Sequence, residues 1–258
     1  MAPRITIKSP DEIGLLRLGG KRLGETLKRL TGEIKPGVST LDLDILADRL
    51  IREQDGVPVF KGYIVKETSI PFPASICTSI NDEIVHGIPR PDRILRDGDI
   101  IGIDIGMRYR GLVTDTAVTV GVGKISADAA RLIRATREAL DAGIVAVHSG
   151  ATLGDIGCAV ETRLKKDNLG IIRDLAGHGV GYELHEPPMI PNYGKPGTGL
   201  ELREGMVIAI EPMATLGDWR ITLDDDEWTF RTADGSLAAH FEHTIAVTST
   251  GAEVLTLE

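Results

Sequence analysis

The stretch GHGVGYELHEPP at residues 177–188 carries two histidines, His178 and His185, seven positions apart. Zinc-protease helices place paired histidines four residues apart on one face. The interleaved glycines exclude that helix, and they allow the backbone to approach a partner closely. On an extended chain, an odd separation points two side chains to opposite sides. We therefore predict different roles for the two rings; the alternative is a polar turn without chemistry.

Four carboxylates occur in apolar, strand-like settings: Asp104, Asp115, Glu211 and Glu242. If the segment MRYRG turns the chain, Asp104 and Asp115 face each other as a cross-strand pair. Inward carboxylates repel unless a cation lies between them. Four of them with one imidazole suit two divalent ions, about 3.5–4 Å apart, with a hydroxide between them. Hard oxygen ligands favour manganese, iron(II), cobalt or magnesium. The alternative is an exposed hairpin with solvated aspartates.

Two strands that end in these carboxylates repeat one pattern. Residues 95–104 read LRDGDIIGID and residues 202–211 read LREGMVIAIE, so nine of ten positions keep their chemical type at an offset of 107. Each segment predicts a glycine turn followed by an apolar strand whose end presents a carboxylate. The repeat indicates two related halves, although two ordinary strands after glycine turns would show part of it.

The helices that must hold these strands recur in the same order in both halves. Ser9, Thr40, Ser126 and Thr152 are predicted N-caps of four helices, the first with a capping box and Pro10. We therefore predict one α+β domain over residues 1–258, with pseudo-symmetric halves at about 9–123 and 124–258. Residues 61–75 predict a long irregular loop, because two prolines exclude a central strand.

Composition narrows the class of protein. The chain has 258 residues, 42 % hydrophobic and 26 % charged, with a net charge of −9 and a pI of about 5.2. The absence of a basic run argues against a nucleic-acid or membrane-surface protein. Only two cysteines occur, so we expect no disulfide framework and a reducing, cytoplasmic compartment. We find no apolar signal region and no apolar stretch of about 18 residues, so we expect no secretion and no membrane span.

Five motifs carry a family resemblance. They are NDEIVHGIP (81–89), GIDIGMRYRGLVTDTAV (102–118), GHGVGYELHEPP (177–188), GMVIAIEPM (205–213) and AHFEHTIAVT (239–248). In order and spacing they closely resemble type I methionine aminopeptidases over nearly the whole chain. The resemblance implies the pita-bread fold, a curved antiparallel sheet flanked by two helix pairs. It also implies removal of the initiator methionine from nascent chains whose second residue is small.

The resemblance assigns a role to each site residue. Asp104 would chelate one metal ion, Asp115 and Glu242 would bridge both, and His178 and Glu211 would complete the other. The ions implied are two divalent metals: cobalt, manganese, iron(II) or zinc. The bridging hydroxide would attack the carbonyl after methionine, with Glu211 as general base and then acid. Further residues would face the substrate or line its methionine pocket: His86, His185, Cys77, Leu184 and Trp228.

Two features near the predicted pocket differ from the family pattern. Leu184 stands where the family usually has an aromatic or similarly large residue, and the loop from Phe60 to Phe72 is longer than in short members. The 26 positions from His185 to Glu211 exclude the long insertion of type II enzymes. We expect a monomer whose partner is the N-terminal methionine of nascent polypeptides, with the ribosome as a candidate location.

Two other functions share the fold. A non-catalytic binding protein would have lost ligands, whereas all five are present here. A proline-specific peptidase would usually carry a large extra N-terminal domain, for which the residues before position 80 are too few.

The remaining candidates are given structural interpretations. By strand alternation His240 shares a face with Glu242, and we interpret both it and His243 as supporting residues. His148, in a turn that ends a helix, is predicted to lie at the surface. The acidic segment Asp224–Glu227 is predicted to be a solvated turn.

Overall fold

The computed structural model describes residues 5–66 and 68–257. Its helices are α1 (Pro10–Thr31), α2 (Thr40–Glu53), α3 (Ala127–Val145) and α4 (Leu153–Lys166). No helix among the described residues is long and apolar enough to cross a membrane.

Capping side chains fix where the helices begin. Ser9 forms the expected capping box, and Ser126 and Thr152 occupy the predicted N-caps. The expectation for Thr40 is wrong by one residue. Ser39 has the extended backbone of an N-cap, and its hydroxyl accepts the backbone N–H of the third helical residue. Thr40 is the first residue of α2, and its own hydroxyl donates to the carbonyl of Arg90.

The strands form one large and two small antiparallel sheets. The nine-stranded sheet has the path β1-β4-β5-β14-β9-β7-β8, with β2 on β4 and β15 on β14, and the smaller sheets are β13-β10-β6 and β11-β12-β3. The strands are β1 (Val57–Pro58), β2 (Ile76–Ile80), β3 (Glu83–Val85), β4 (Ile100–Tyr109), β5 (Leu112–Gly121), β6 (Gly170–Ile171), β7 (Ala176–Gly179), β8 (Glu186–Pro191), β9 (Val207–Ile210), β10 (Met213–Thr215), β11 (Ile221–Leu223), β12 (Phe230–Thr232), β13 (Ala238–His240), β14 (Glu242–Val247) and β15 (Ala252–Val254).

The two faces of the large sheet differ. One face packs against the helices, and the other carries the acidic side chains. On β4, Ile101, Ile103 and Ile105 are fully buried in a cluster with leucines of α1 and α2. Successive side chains of a strand point to opposite faces, so Asp104 lies on the other face. Helices α3 and α4 pack against the second half through their own apolar cluster. The helices therefore support the sheet and leave the carboxylate face free.

The two repeated segments behave similarly but not identically. Each turns at a glycine with positive φ, Gly98 at +97° and Gly205 at +85°, and a strand begins two residues later. Glu211 follows directly after β9, as expected. The expectation that Asp104 ends its strand is wrong, because β4 continues to Tyr109 to form a long hairpin with β5. The pseudo-two-fold relation of the halves stays a prediction.

The loop that joins β1 to β2 is irregular, as expected. Among its described residues no helix or strand occurs between Pro58 and Ile76. The loop is fastened to another part of the chain: the Ser69 N–H donates to Glu227 at 2.6 Å, and Trp228 Nε1 donates to the carbonyl of Ile70 at 2.8 Å.

Candidate metal centre and active site

The hairpin of β4 and β5 places two carboxylates on one face of the sheet. Its register pairs Asp104 with Ala117 and Gly106 with Asp115. The predicted hairpin is therefore confirmed, but the two aspartates are diagonal neighbours instead of a directly opposed pair. Diagonal residues on one face still lie within reach of each other's side chains.

The strands that follow in the sheet bring two glutamates to the same face. Glu242 pairs with Ala117 from the side opposite Asp104. The β14–β9 register, in which His243 pairs with Ile210, sets Glu211 beside Glu242 at the end of β9. Two central strands thus collect groups that are distant in sequence.

His178 completes the cluster from β7, where it pairs with Ala209. Its Nδ1 donates to the carbonyl of Gly179 at 2.9 Å. That hydrogen bond leaves a lone pair on Nε2, the usual state of a metal-binding imidazole. Nε2 lies 3.6 Å from Glu211 Oε1 and 3.9 Å from Glu242 Oε1. Ligand atoms of Asp115, His178 and Glu242 all lie within 4.8 Å of one another.

The buried carboxylates of the cluster repel one another, and a bound cation would remove that repulsion. Burial, with the negative charge of Glu211, raises the pKa of Asp104 to about 7, although His240 opposes the change. Burial and mutual repulsion raise the pKa values of Asp115 and Glu242 well above the ordinary range. Within the described residues, Asp104 Oδ1 and Glu242 Oε1 are buried without a hydrogen-bond partner. Buried oxygens of this kind need a partner, and the donor set fits hard divalent ions.

His86 and His185 lie beside the cluster. Burial lowers the pKa of His86 to about 4, and His185 and His240 contribute to the decrease. His86 has a left-handed backbone, with φ of +59°, and strained conformations of this kind concentrate at functional sites. Its ring packs edge-on against Trp228, with 6.2 Å between ring centroids. His185 Nδ1 lies 2.6 Å from the hydroxyl of Tyr63.

The expectation that the rings of His178 and His185 point to opposite sides is wrong. Their centroids are 4.4 Å apart and the planes cross at 80°. The strand geometry does not apply, because β7 ends at Gly179 and the chain turns at Gly181, whose φ is +139°, before β8 begins. The turn folds both rings toward one site.

The other three histidines occupy different environments, and their supporting roles stay a prediction. His240 is buried, and its Nε2 lies 3.4 Å from Glu211 Oε2. His243 points elsewhere, with Nδ1 2.8 Å from the hydroxyl of Thr256. His148 is exposed. His240 and Glu242 fall on two separate strands, so it is the break at Phe241 that places His240 near Glu211.

The predicted pocket residues lie in one apolar cluster. Cys77, Leu184 and Trp228 are buried there together with Phe60 and Phe72. Cys77 pairs with Asp104 across β2 and β4, which places the cluster directly beside the carboxylates. The structure thus places a buried apolar cluster next to the acidic cluster.

The acidic segment Asp224–Glu227 is more than a solvated turn. Asp226 accepts the N–H groups of Trp228 and Thr229, at 2.9 and 2.8 Å. Asp224 binds Arg231 Nε at 2.6 Å, and Glu227 holds the loop described above. The segment therefore helps to position Trp228, one of the predicted pocket residues, and within the segment only Asp225 is exposed.

Tyr63 is the contact that the sequence analysis missed. It lies in the irregular loop, 122 positions before His185, and no periodicity connects the two. The only sequence feature that marks Tyr63 is its position near the start of the predicted irregular loop.

The chain is similar to known metallopeptidases over nearly its whole length. Residues 14–249 match metallopeptidase family M24. The methionine aminopeptidase of Clostridium acetobutylicum is 46 % identical over 253 residues, covering 98 % of this chain and 99 % of that relative. Methionine aminopeptidase 1 of Bacillus subtilis is 45 % identical over 252 residues, with 98 % and 99 % covered.

Solved structures agree in the fold. The methionine aminopeptidase of Thermotoga maritima superposes with a TM-score of 0.94 at 42 % identity, covering 99 % of this chain and 100 % of that one. That of Rickettsia prowazekii also gives 0.94, at 41 % identity, with 98 % and 100 % covered. The prolidase of Pyrococcus furiosus, at 22 % identity and a TM-score of 0.73, shares the fold over 65 % of its own length. The pita-bread fold expected from the sequence is confirmed.

Proposed function

The chain belongs to metallopeptidase family M24 and removes N-terminal methionine in a metal-dependent reaction, and we propose that two divalent ions bind at the carboxylate cluster for this reaction. The ions are cobalt, manganese, iron(II) or zinc. The observation that carries the proposal is the pair of buried oxygens on Asp104 and Glu242 that find no hydrogen-bond partner in the described part of the chain, beside a histidine whose Nε2 faces the same space.

Five side chains would hold the ions. Asp104 would bind one ion, Asp115 and Glu242 would be shared between both, and His178 and Glu211 would bind the other. Support for this division comes from Asp115 and Glu242, which lie on adjacent strands at the centre of the cluster. His240 Nε2 lies 3.4 Å from Glu211 Oε2, on the side of the carboxylate away from Oε1, which lies 3.6 Å from His178 Nε2.

The chain's own groups orient the substrate and move protons. When bound, the ions supply Lewis acidity that activates a water molecule and polarises the scissile carbonyl. Glu211 accepts the proton of the nucleophile and delivers it to the leaving amine. His86 and His185 donate hydrogen bonds to the scissile amide and the developing oxyanion.

The contact with Tyr63 suits His185 for donation. When the Tyr63 hydroxyl donates to Nδ1, the neutral imidazole carries its proton on Nε2. The same ring thus has an N–H free for a substrate oxygen.

The substrate is the N-terminal methionine of a nascent polypeptide whose second residue is small. Cys77, Leu184 and Trp228 form the apolar wall for the methionine side chain, next to the metal ligands. We place the reaction in the cytoplasm, at or near the ribosome, with the protein as a monomer. The two cysteines are free, as a reducing compartment requires.

Peptide turnover with controlled metal tests this function. EDTA should abolish cleavage of Met-Ala-Ser, and manganese, iron(II) or cobalt should restore it. An Ala-Pro peptide should remain uncut under the same conditions and serves as the control for a proline-specific activity. Full activity in metal-stripped protein, or preference for Ala-Pro, would refute the proposal.

A further inference from the structure

A buried ion pair lies behind the loop that carries His185. Lys8 Nζ donates to Glu186 Oε2 at 2.7 Å, and the two side chains are only 1 % and 6 % exposed. The Thr6 hydroxyl donates to the same oxygen. Burial of two charges is costly, and an apolar pair of equal volume often gives equal stability. Stability alone therefore does not explain why this ion pair is buried here.

The second oxygen of Glu186 holds the backbone of the His185 loop. Glu186 Oε1 accepts the N–H of Tyr182 at 2.6 Å and the N–H of Glu183 at 3.0 Å. One carboxylate thus joins the N-terminal segment to the turn between β7 and β8. His185 is the residue directly before Glu186, so its backbone is confined on both sides.

Lys8 also fills the space beneath that turn. A Cβ placed on Gly181 would lie 2.4 Å from Lys8 Cε, and Lys8 Nζ lies 4.9 Å from the centroid of the Tyr182 ring. The lysine itself is anchored, because its backbone N–H donates to the carbonyl of Gly205 at 2.8 Å. A single side chain from outside the sheet therefore limits how the loop can move.

We propose that Lys8 is a positioning residue for His185, acting through the carboxylate of Glu186. The inference rests on the proposed role of His185 as a donor to the substrate. Lys8 lies in the segment before α1 and does not touch the metal-ligand cluster, so it acts on the geometry of the loop. A donor displaced by about 1 Å can lose up to about 100-fold in rate.

A double-mutant cycle tests the proposal on the full, metal-loaded chain. In the parent protein, Lys8→Met should lower kcat about 10- to 100-fold, with metal content unchanged. In a His185→Ala background, the same substitution should change kcat less than about twofold, because residues that act through one another are not additive. An equal loss in both backgrounds, or no loss in the parent, would overturn the proposal.

Two further variants keep the test decisive. Arg17→Met removes an ion pair that also joins the N-terminal part of the chain to a distant strand, through Glu253, and it should leave kcat unchanged in both backgrounds. If Lys8→Met fails to fold, Glu186→Gln takes its place in the cycle with the same expected outcomes. Failure of the proposed function would appear separately, as a His185→Ala protein with the parental kcat.

Discussion

Substitution of Asp104 by asparagine should make the metal-free protein more stable near neutral pH. Asp104 Oδ1 is buried without a hydrogen-bond partner among the described residues, and burial, with the charge of Glu211, raises the pKa of Asp104 from 3.8 to about 7. The folded state then binds the proton more tightly than the unfolded state. Its contribution to stability is fully present below about pH 4 and is lost as the pH rises through about 7.

The size of the effect follows from the pKa difference. A pKa that rises from 3.8 to about 7 corresponds to about 4 kcal/mol when the group is fully ionised. Between pH 5 and pH 7 the loss amounts to about 2–3 kcal/mol. In a domain of this size that corresponds to a decrease in Tm of about 5–10 °C.

Other groups change stability with the opposite sign, so the comparison must be differential. Burial lowers the pKa of His86 to about 4 and that of His178 to about 3, and these two groups add stability as the pH rises toward 6.5. They are present in both proteins. The difference between the parent and Asp104→Asn therefore reports the Asp104 carboxyl group together with the repulsion that its charge exerts on Asp115 and Glu242.

The assay is thermal unfolding of EDTA-treated protein from pH 5 to pH 7. The Tm of the parent should decrease relative to that of Asp104→Asn across this range, and manganese should raise the parental Tm more than that of the variant. Asp225→Asn, at an exposed aspartate, is the matched control and should run parallel to the parent. Parallel curves for the parent and Asp104→Asn would show that the buried carboxyl carries no such cost.

Three further outcomes are expected. His178→Ala should lose bound metal along with rate, whereas His185→Ala should keep its metal and lose about 10²–10³ in kcat; equal metal loss in elemental analysis would make both residues ligands. Tyr63→Phe removes the hydroxyl that contacts His185 Nδ1, and kcat should fall about 3- to 10-fold. Unchanged steady-state kinetics would show that Tyr63 does not assist His185. Norleucine-Ala peptides should be cut and Lys-Ala peptides should not, because Trp228 and Leu184 belong to the buried apolar cluster that we propose as the methionine pocket, and one methylene in such a pocket is worth about 1–3 kcal/mol; equal rates would contradict the pocket assignment.

Local sequence patterns predicted the helix starts, the turns before β4 and β9 and a buried carboxylate. Capping residues marked the helix starts to within one residue, because a cap needs only its own neighbours along the chain. The repeated Leu-Arg-acid-Gly pattern located the turns before β4 and β9, since positive φ is a local demand that glycine meets. An aspartate inside IIGIDIG indicated a buried charge that needs a partner.

The geometry in which these groups meet followed from the packing of strands and turns and was not predictable from local patterns. Strand register set Asp104 and Asp115 diagonally, and the turn at Gly181 brought His178 and His185 together although their spacing on an extended chain would separate them. The Tyr63–His185 contact and the Lys8–Glu186 pair join residues 122 and 178 positions apart. Such contacts depend on how elements pack, and the local pattern of side chains carries no information about partners that are distant in the chain.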